Sequence, residues 1–357
     1  MFGNGIGTTH AGIFVMLVNG SGGATFYYLA AGAAGQGGTA GITDAVPVDL
    51  DGDHIVDYVY AGDVKGNIWR FDLTSPLPAN WAVSATSPLF QTPGGQPITT
   101  QVVVAAIPSD SGPPRLLVEF GTGQQTPFTN TSPTTYASGG QSLYGIWDWD
   151  MSGWDTQSAV PYAFLTYALT ALPTINTSNL QVQVATDLST GPGGFRSVTN
   201  NPICWIGSTD CASSNIMFGW YLNLPDQGEQ IIYNPVLEVG AFIVNSTVPA
   251  ANDPTSCTSA LASGWTMAIN PVNGGSFKQS FFGDSTGHFV NFNGQIVSGV
   301  ALSGTGSASV VTTAQTVAGA PTNFLITQTS GGTGPATPPI NPLATSIGSR
   351  LTWVERR

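Results

Sequence analysis

Apolar residues along this chain recur with a period of two or in short runs, and helical periodicity is absent. Gly12–Asn19 and Ala24–Ala30 flank the turn Gly20-Ser21-Gly22-Gly23 and read as a hairpin, followed by a Gly/Ala linker from Gly32 to Gly41. A second hairpin is expected from Tyr58-Val59-Tyr60, the turn residues Gly62, Asp63, Gly66 and Asn67, and the mixed run Ile68–Leu73. Pro76, Pro78, Pro93 and Pro97 mark a long connection to the strands Gln101–Ile107 and Arg115–Phe120. An aromatic-rich strand lies within Gln141–Trp154, and looser alternation predicts strands at Tyr162–Thr170 and Gln181–Asp187. Met217–Leu224, Ile231–Val239, Ala241–Val248, Gly264–Ile269, Ser280–Phe282 and Gly287–Phe292 complete the series before a low-complexity stretch.

Short strands at intervals of roughly 8–15 residues, joined by Gly-rich turns, predict an all-β sandwich, barrel or propeller. A weak internal echo favours the propeller. GDVKGNIWRFDL at 62–73, GGQSLYGIWDWD at 139–150 and GDSTGHFVNFNG at 283–294 each set a Gly-rich turn before a strand with aromatics, as stacked blades would. The expected organisation is a propeller over residues 1–330, a Gly/Pro/Thr-rich connection over 331–345 and a closing strand over 346–357.

Charge changes this picture more than length does. At 357 residues the chain fits one large all-β domain or two average ones. Charged residues make up only 8%, and Thr, Ser, Asn and Gln supply most of the polarity, a composition that reads as extracellular or cell-surface. The formal charge of −12 disfavours a nucleic-acid or anionic-lipid partner, and the eight basic residues form no patch in sequence. No apolar run approaches the length of a membrane span, and the start lacks the basic region of a secretory signal. A surface composition without an export signal reads as the C-terminal part of a longer exported protein.

Seven of the 20 acidic residues fall between Asp44 and Asp72, and four of these, Asp49, Asp51, Asp53 and Asp57, stand at positions 1, 3, 5 and 9 of one loop. Calcium (Ca2+) takes six to eight oxygens, and a turning loop supplies them from alternate side chains and a backbone carbonyl at position 7, here that of Ile55. Four carboxylates so close repel one another unless a cation neutralises them. The competing reading is a solvated acidic turn. Position 6 is His54 where a Gly commonly makes the sharp turn, and position 12 is Tyr60 instead of a bidentate Glu, so helices are not expected on either side.

Other chemistry is weaker. Asp148 and Asp150 share a strand face as an acid–base pair would, a spacing that any solvent-facing strand edge also gives. Trp147, Trp149, Trp154, Trp205 and Trp220 could build a sugar platform, but core packing is their default. Cys204 and Cys211 bracket a loop short enough to bridge, which leaves Cys257 over. His10, His54 and His288 are not at zinc-ligand spacing and read as surface or turn residues.

The run Tyr58-Val59-Tyr60-Ala61-Gly62-Asp63 with Gly66-Asn67-Ile68-Trp69-Arg70-Phe71-Asp72-Leu73 resembles the signature of the PilC/PilY family of type IV pilus tip adhesins. Further stretches similar to the family follow in order: Phe2-Gly3-Asn4-Gly5, Phe120-Gly121-Thr122-Gly123, Gln141 to Asp148, Gly219 to Leu222 with Gly228-Glu229, and Leu351-Thr352-Trp353. The resemblance implies a modified, quinoprotein-like β-propeller with one calcium loop held by Asp49, Asp51, Asp53, Ile55 and Asp57, opened partway through and lacking early blades. It implies a non-enzymatic protein at the cell surface or pilus tip, partnered by minor pilins and by host or abiotic surface receptors. Pilus biogenesis against retraction, attachment and twitching motility would be its roles. Two alternatives remain open on the residues: a quinoprotein-type propeller enzyme, which needs a cofactor pocket built from several blades, and a secreted carbohydrate-binding module.

Overall fold

The computed structural model of the chain describes all residues except 33–39, 110–111, 128, 130–133, 166–174, 190, 210, 212–214, 251–260, 285–287, 318–319, 328–336, 342–348 and 351–357. The first predicted hairpin forms where alternation places it. Strands β1 (Phe2–Gly3), β2 (Gly12–Val18) and β3 (Ala24–Ala30) make an antiparallel sheet. Its inner face sends Ile13, Val15 and Leu29 against Val59, Ala61, Trp69 and Phe71 of the next sheet.

That next sheet contains β4 (Val46–Val48), β5 (Tyr58–Gly62), β6 (Asn67–Asp72), β7 (Ala82–Val83) and β8 (Phe90–Gln91), with β7 and β8 both paired to β6. Strand β5 is buried along its whole length, because the first sheet covers one face and the large sheet the other. On the second side Phe90 meets Tyr144 at 5.3 Å and Phe120 at 6.3 Å between ring centroids, one contact in the core between the two sheets. Each such buried ring contributes about 1.5–3 kcal/mol of burial free energy.

The large sheet is assembled from β9 (Val103–Ile107), β10 (Arg115–Gly121), β13 (Ser142–Trp147), β14 (Gln181–Asp187), β15 (Phe195–Val198), β16 (Gly219–Asn223), β17 (Gln230–Ile231), β18 (Val236–Glu238), β19 (Ala241–Thr247), β20 (Gly264–Ile269) and β21 (Gly299–Leu302). Between β10 and β13 the pair β11 (Gln125–Thr126) and β12 (Thr135–Tyr136) makes a small hairpin. Strands β9, β10, β13 and β16 run antiparallel, then β14 joins β16 in parallel and a second antiparallel set continues through β15, β21, β20 and β19. Strands β22 (Ala308–Val317), β23 (Ala320–Thr327) and β24 (Pro339–Ile340) form a further sheet, and β25 (Ser349–Arg350) pairs with β9. The fold is an all-β, modified propeller with almost no helix.

Several expectations need correction. Tyr162 to Leu165 is not a strand, and the rest of that predicted element lies outside the described residues. Ile231–Val239 is broken into β17 and β18, since Pro235 has no N–H for a continuous ladder. Ser280–Phe282 and the described part of Gly287–Phe292 hold only isolated bridges, so the third echo repeat does not fold like the other two. Strands β15, β21, β22 and β23 were not expected: β22 and β23 form a hairpin inside the stretch read as low-complexity, where Val, Phe, Leu and Ile are interspersed with Ala, Ser and Thr.

The five tryptophans are all buried, as core packing predicts. Cys204 and Cys211 are bridged, with Cα atoms 5.6 Å apart, while Cys257 lies outside the described residues. Residues 337–341 of the expected 331–345 connection are described and contain β24; of the expected 346–357 strand only β25 is described.

Candidate metal centre

Residues 49–57 are the connection of the β4–β5 hairpin. Val48 pairs with Tyr58, and the Asp57 N–H donates to the Val48 carbonyl at 2.9 Å, closing the neck of the loop on the sheet. Strand-forming Val46, Val48, Tyr58, Val59 and Tyr60 hold the neck, and the carboxylates between them fold the loop by capturing its own N–H groups. Asp49 accepts from Gly52 at 2.7 Å through Oδ1 and from His54 at 2.9 Å through Oδ2. Asp51 accepts weakly from Asp53 N–H at 3.4 Å, Asp53 from Ile55 at 2.7 Å, and Asp57 Oδ2 from Leu50 at 2.7 Å.

Two residues carry left-handed backbone, Gly52 at φ 80° and His54 at φ 70°. The His that stands where Gly is common therefore takes the glycine-like conformation, at a cost of about 1–2 kcal/mol. The turn survives the departure in sequence.

Asp49, Asp51 and Asp57 each bring a carboxylate oxygen within 4.8 Å of the others. Oxygens bound to one ion at about 2.3–2.6 Å lie at most about 5 Å apart, so this trio fits a calcium-sized cation. Asp53 is exposed and lies outside the trio, and Ile55 is exposed on the loop surface. Asp57 is 8% exposed. Burial pushes its carboxyl up to about 6, with repulsion from Asp51, Asp49 and Asp53 adding to the rise and the Leu50 N–H opposing it. The donors are hard oxygens carrying uncompensated negative charge, the chemistry a divalent cation suits.

The structure adds neighbours that spacing did not reveal. Ser158 Oγ donates to Asp51 Oδ2 at 3.1 Å, and the Tyr162 hydroxyl to the Leu50 carbonyl at 2.9 Å. Both belong to the segment after a short helix, α1 (Ser152–Asp155), whose Trp154 meets Tyr58 edge-on at 6.1 Å. They lie about a hundred residues from the loop in sequence, and no motif marks them. The acidic pair is also re-read: Asp148 is fully buried, not on a solvent-facing edge, and binds Arg70 and the Tyr60 hydroxyl.

Comparison with known proteins follows the same lines. A family model for the PilY1 β-propeller domain matches residues 3–165, the part that holds the loop. The crystal structure of the Pseudomonas aeruginosa PilY1 C-terminal domain superposes with a TM-score of 0.67 at 25% identity, over 95% of this chain and 69% of that one. Residues 3–165 carry the PilY1 β-propeller domain, and the chain as a whole resembles the PilY1 C-terminal domain. Among its PilY1 relatives, a type IV pilus biogenesis factor of P. aeruginosa (strain UCBPP-PA14) is 29% identical over 303 residues, covering 73% of this chain and 24% of that protein. A PilY1 homologue of Xylella fastidiosa is 28% identical over 298 residues, covering 77% and 18% respectively. The chain thus spans about a quarter or less of the length of these PilY1 proteins. Among the described residues no helix is long and apolar enough to cross a membrane.

Proposed function

We propose that this PilY1-type propeller binds one calcium ion in the 49–57 loop and works without enzymatic chemistry in type IV pilus biogenesis, opposing retraction, with roles in surface attachment and twitching motility. The observation that carries the reading is the convergence of Asp49, Asp51 and Asp57 oxygens on a hairpin loop that is tied to the sheet at its neck. When bound, calcium supplies the positive charge that this loop lacks. Asp49, Asp51 and Asp57 would hold it, with Asp53 and the Ile55 carbonyl as the further ligands expected from the register. Asp57 anchors the loop to Leu50, while Ser158 and Tyr162 brace it from outside.

The relatives' names, type IV pilus biogenesis factors, support a place at the pilus; a cell-surface location, with minor pilins and surface receptors as partners, is proposed with it. Calcium would order the loop and the hairpin behind it and leave the rest of the propeller folded. The test is surface piliation and twitching in cells carrying Asp57→Ala in the gene for this chain, with the retraction motor present and absent. Reduced piliation only when the motor is present is expected. Normal piliation and motility despite proven loss of calcium binding would reduce the loop to a structural staple. The quinoprotein alternative is tested by adding pyrroloquinoline quinone, where no absorbance change and no dye reduction are expected.

A further inference from the structure

A cavity of about 320 Å³ opens where β6 and the 83–91 segment face the 148–150 stretch, with Leu89, Phe90, Trp149 and Ile175 on its apolar side and Arg70, Asp148 and Asp150 on its polar side. Its charges do not balance. Arg70 Nη1 donates to both Asp148 oxygens, at 2.9 and 2.8 Å, and Nε donates to Ser84 Oγ at 3.0 Å. Asp148, fully buried, also accepts from the Tyr60 hydroxyl at 2.6 Å, so it takes up the charge of the guanidinium. Asp150 is left with one long contact, 3.4 Å from Arg70 Nη2 to Oδ2, and its side chain is 49% exposed. Among the described residues no lysine or second arginine lines the cavity. One carboxylate therefore stands in excess over an apolar floor.

That arrangement selects among ligand classes. An anion would meet like charge. A sugar needs an open aromatic face, and Phe90 and Trp149 are only 2% and 6% exposed. A neutral apolar group would strip water from Asp150 and give nothing back. A cation on an apolar stem satisfies both parts, since lysine and arginine lay their methylenes along apolar surface while the head group meets a carboxylate. The volume lies at the small end for ligand sites, the scale of a side chain and its immediate neighbours. The net charge of −12 draws basic surfaces towards this chain at long range.

We propose that this cavity receives a lysine or arginine side chain of a protein partner, with Asp150 meeting the cation and the part-exposed Pro88 and Leu89 covering its stem. The site stands apart from the calcium loop and needs no metal. Saturation-transfer NMR with four capped peptides, Gly-Arg-Leu-Gly, Gly-Lys-Leu-Gly and the versions with citrulline or glutamate in place of the cation, tests it. The two cationic peptides are expected to bind at least tenfold more tightly than the citrulline one, and the glutamate one not at all. Asp150→Asn should abolish that preference, and Leu89→Trp, which fills the cavity, should abolish binding, with thermal melts confirming that both variants fold. Running the series in calcium and again in EDTA separates this result from the fate of the calcium reading. Binding of no peptide, equal binding of the citrulline peptide, or an unchanged preference in Asp150→Asn would overturn the proposal.

Discussion

Two acidic clusters in this propeller solve the same electrostatic problem in opposite ways. In the 49–57 loop three carboxylates converge with no cationic side chain among them, at the protein surface. In the large sheet Asp187, Asp226 and Glu229 converge on Arg196, which is fully buried: Nε lies 2.6 Å from Asp187, Nη1 2.7 Å from Glu229 and Nη2 3.2 Å from Asp226. The guanidinium also lies 4.1 Å from the Trp265 ring centroid. One cluster carries its own cation and ties β15 to the β16–β17 turn and to β20; the other leaves its counter-charge to come from outside. Stability at the first should be indifferent to calcium, and stability at the second should depend on it.

The largest effect is expected where the internal cation is removed. Arg196→Met leaves buried Glu229 and two partners unpaired and should destabilise by about 3–5 kcal/mol, read from denaturant midpoints in calcium and in EDTA alike. A loss confined to EDTA would erase the contrast. Next comes the loop. Saturation with calcium at a hundredfold excess over Kd should stabilise the wild type by about 2.7 kcal/mol. Asp51→Asn, on an exposed side chain, should remove most of that gain and leave the EDTA melt unchanged; a variant equally weakened in EDTA would mean that the residue acts in folding alone.

Glu119 sharpens the comparison as an acid with no cation of either kind. It is fully buried in β10, neither oxygen has a hydrogen-bond partner among the described residues, and burial raises its pKa well above the ordinary carboxylate value. A group whose folded pKa is raised favours the folded state below its unfolded pKa and loses that advantage as pH rises through the folded value. Glu119→Gln should therefore match the wild type more closely at pH about 4 and gain on it steadily towards pH about 8. Melting curves across that range with a constant gap would contradict this. The smallest effect is at the turn: His54→Gly removes the left-handed strain but adds unfolded-state entropy, for a net gain below about 1 kcal/mol in chemical denaturation.

The legible parts of this protein were those governed by local rules. Alternation located β2, β3, β10, β14 and β20 almost to the residue, and the spacing of Asp49, Asp51, Asp53 and Asp57 marked the loop because both features lie within a single short run. What escaped depends on distant pairing. Arg70 and Arg196 look like scattered surface cations in sequence, yet Arg196 is fully buried and Arg70 only 12% exposed at its side chain, because the fold brings acids to each from elsewhere in the chain. Ser158 and Tyr162 reach the loop from a segment about a hundred residues away, whose Trp154 packs on Tyr58. The β22–β23 hairpin was illegible for another reason: its apolar residues fall in adjacent positions, Val310-Val311 and Phe324-Leu325-Ile326, amid Ala, Ser and Thr, so no alternation marks a ladder that shows only once the strands are paired.

The central claim is that the 49–57 loop is built for an external divalent cation. Calorimetric titration of the metal-free protein with calcium tests it most directly. One ion per chain is predicted, with binding abolished in both Asp49→Ala and Asp57→Ala and retained in Arg196→Lys. Calcium uptake that is unchanged in the two loop variants, or no uptake by the wild type, would contradict the account.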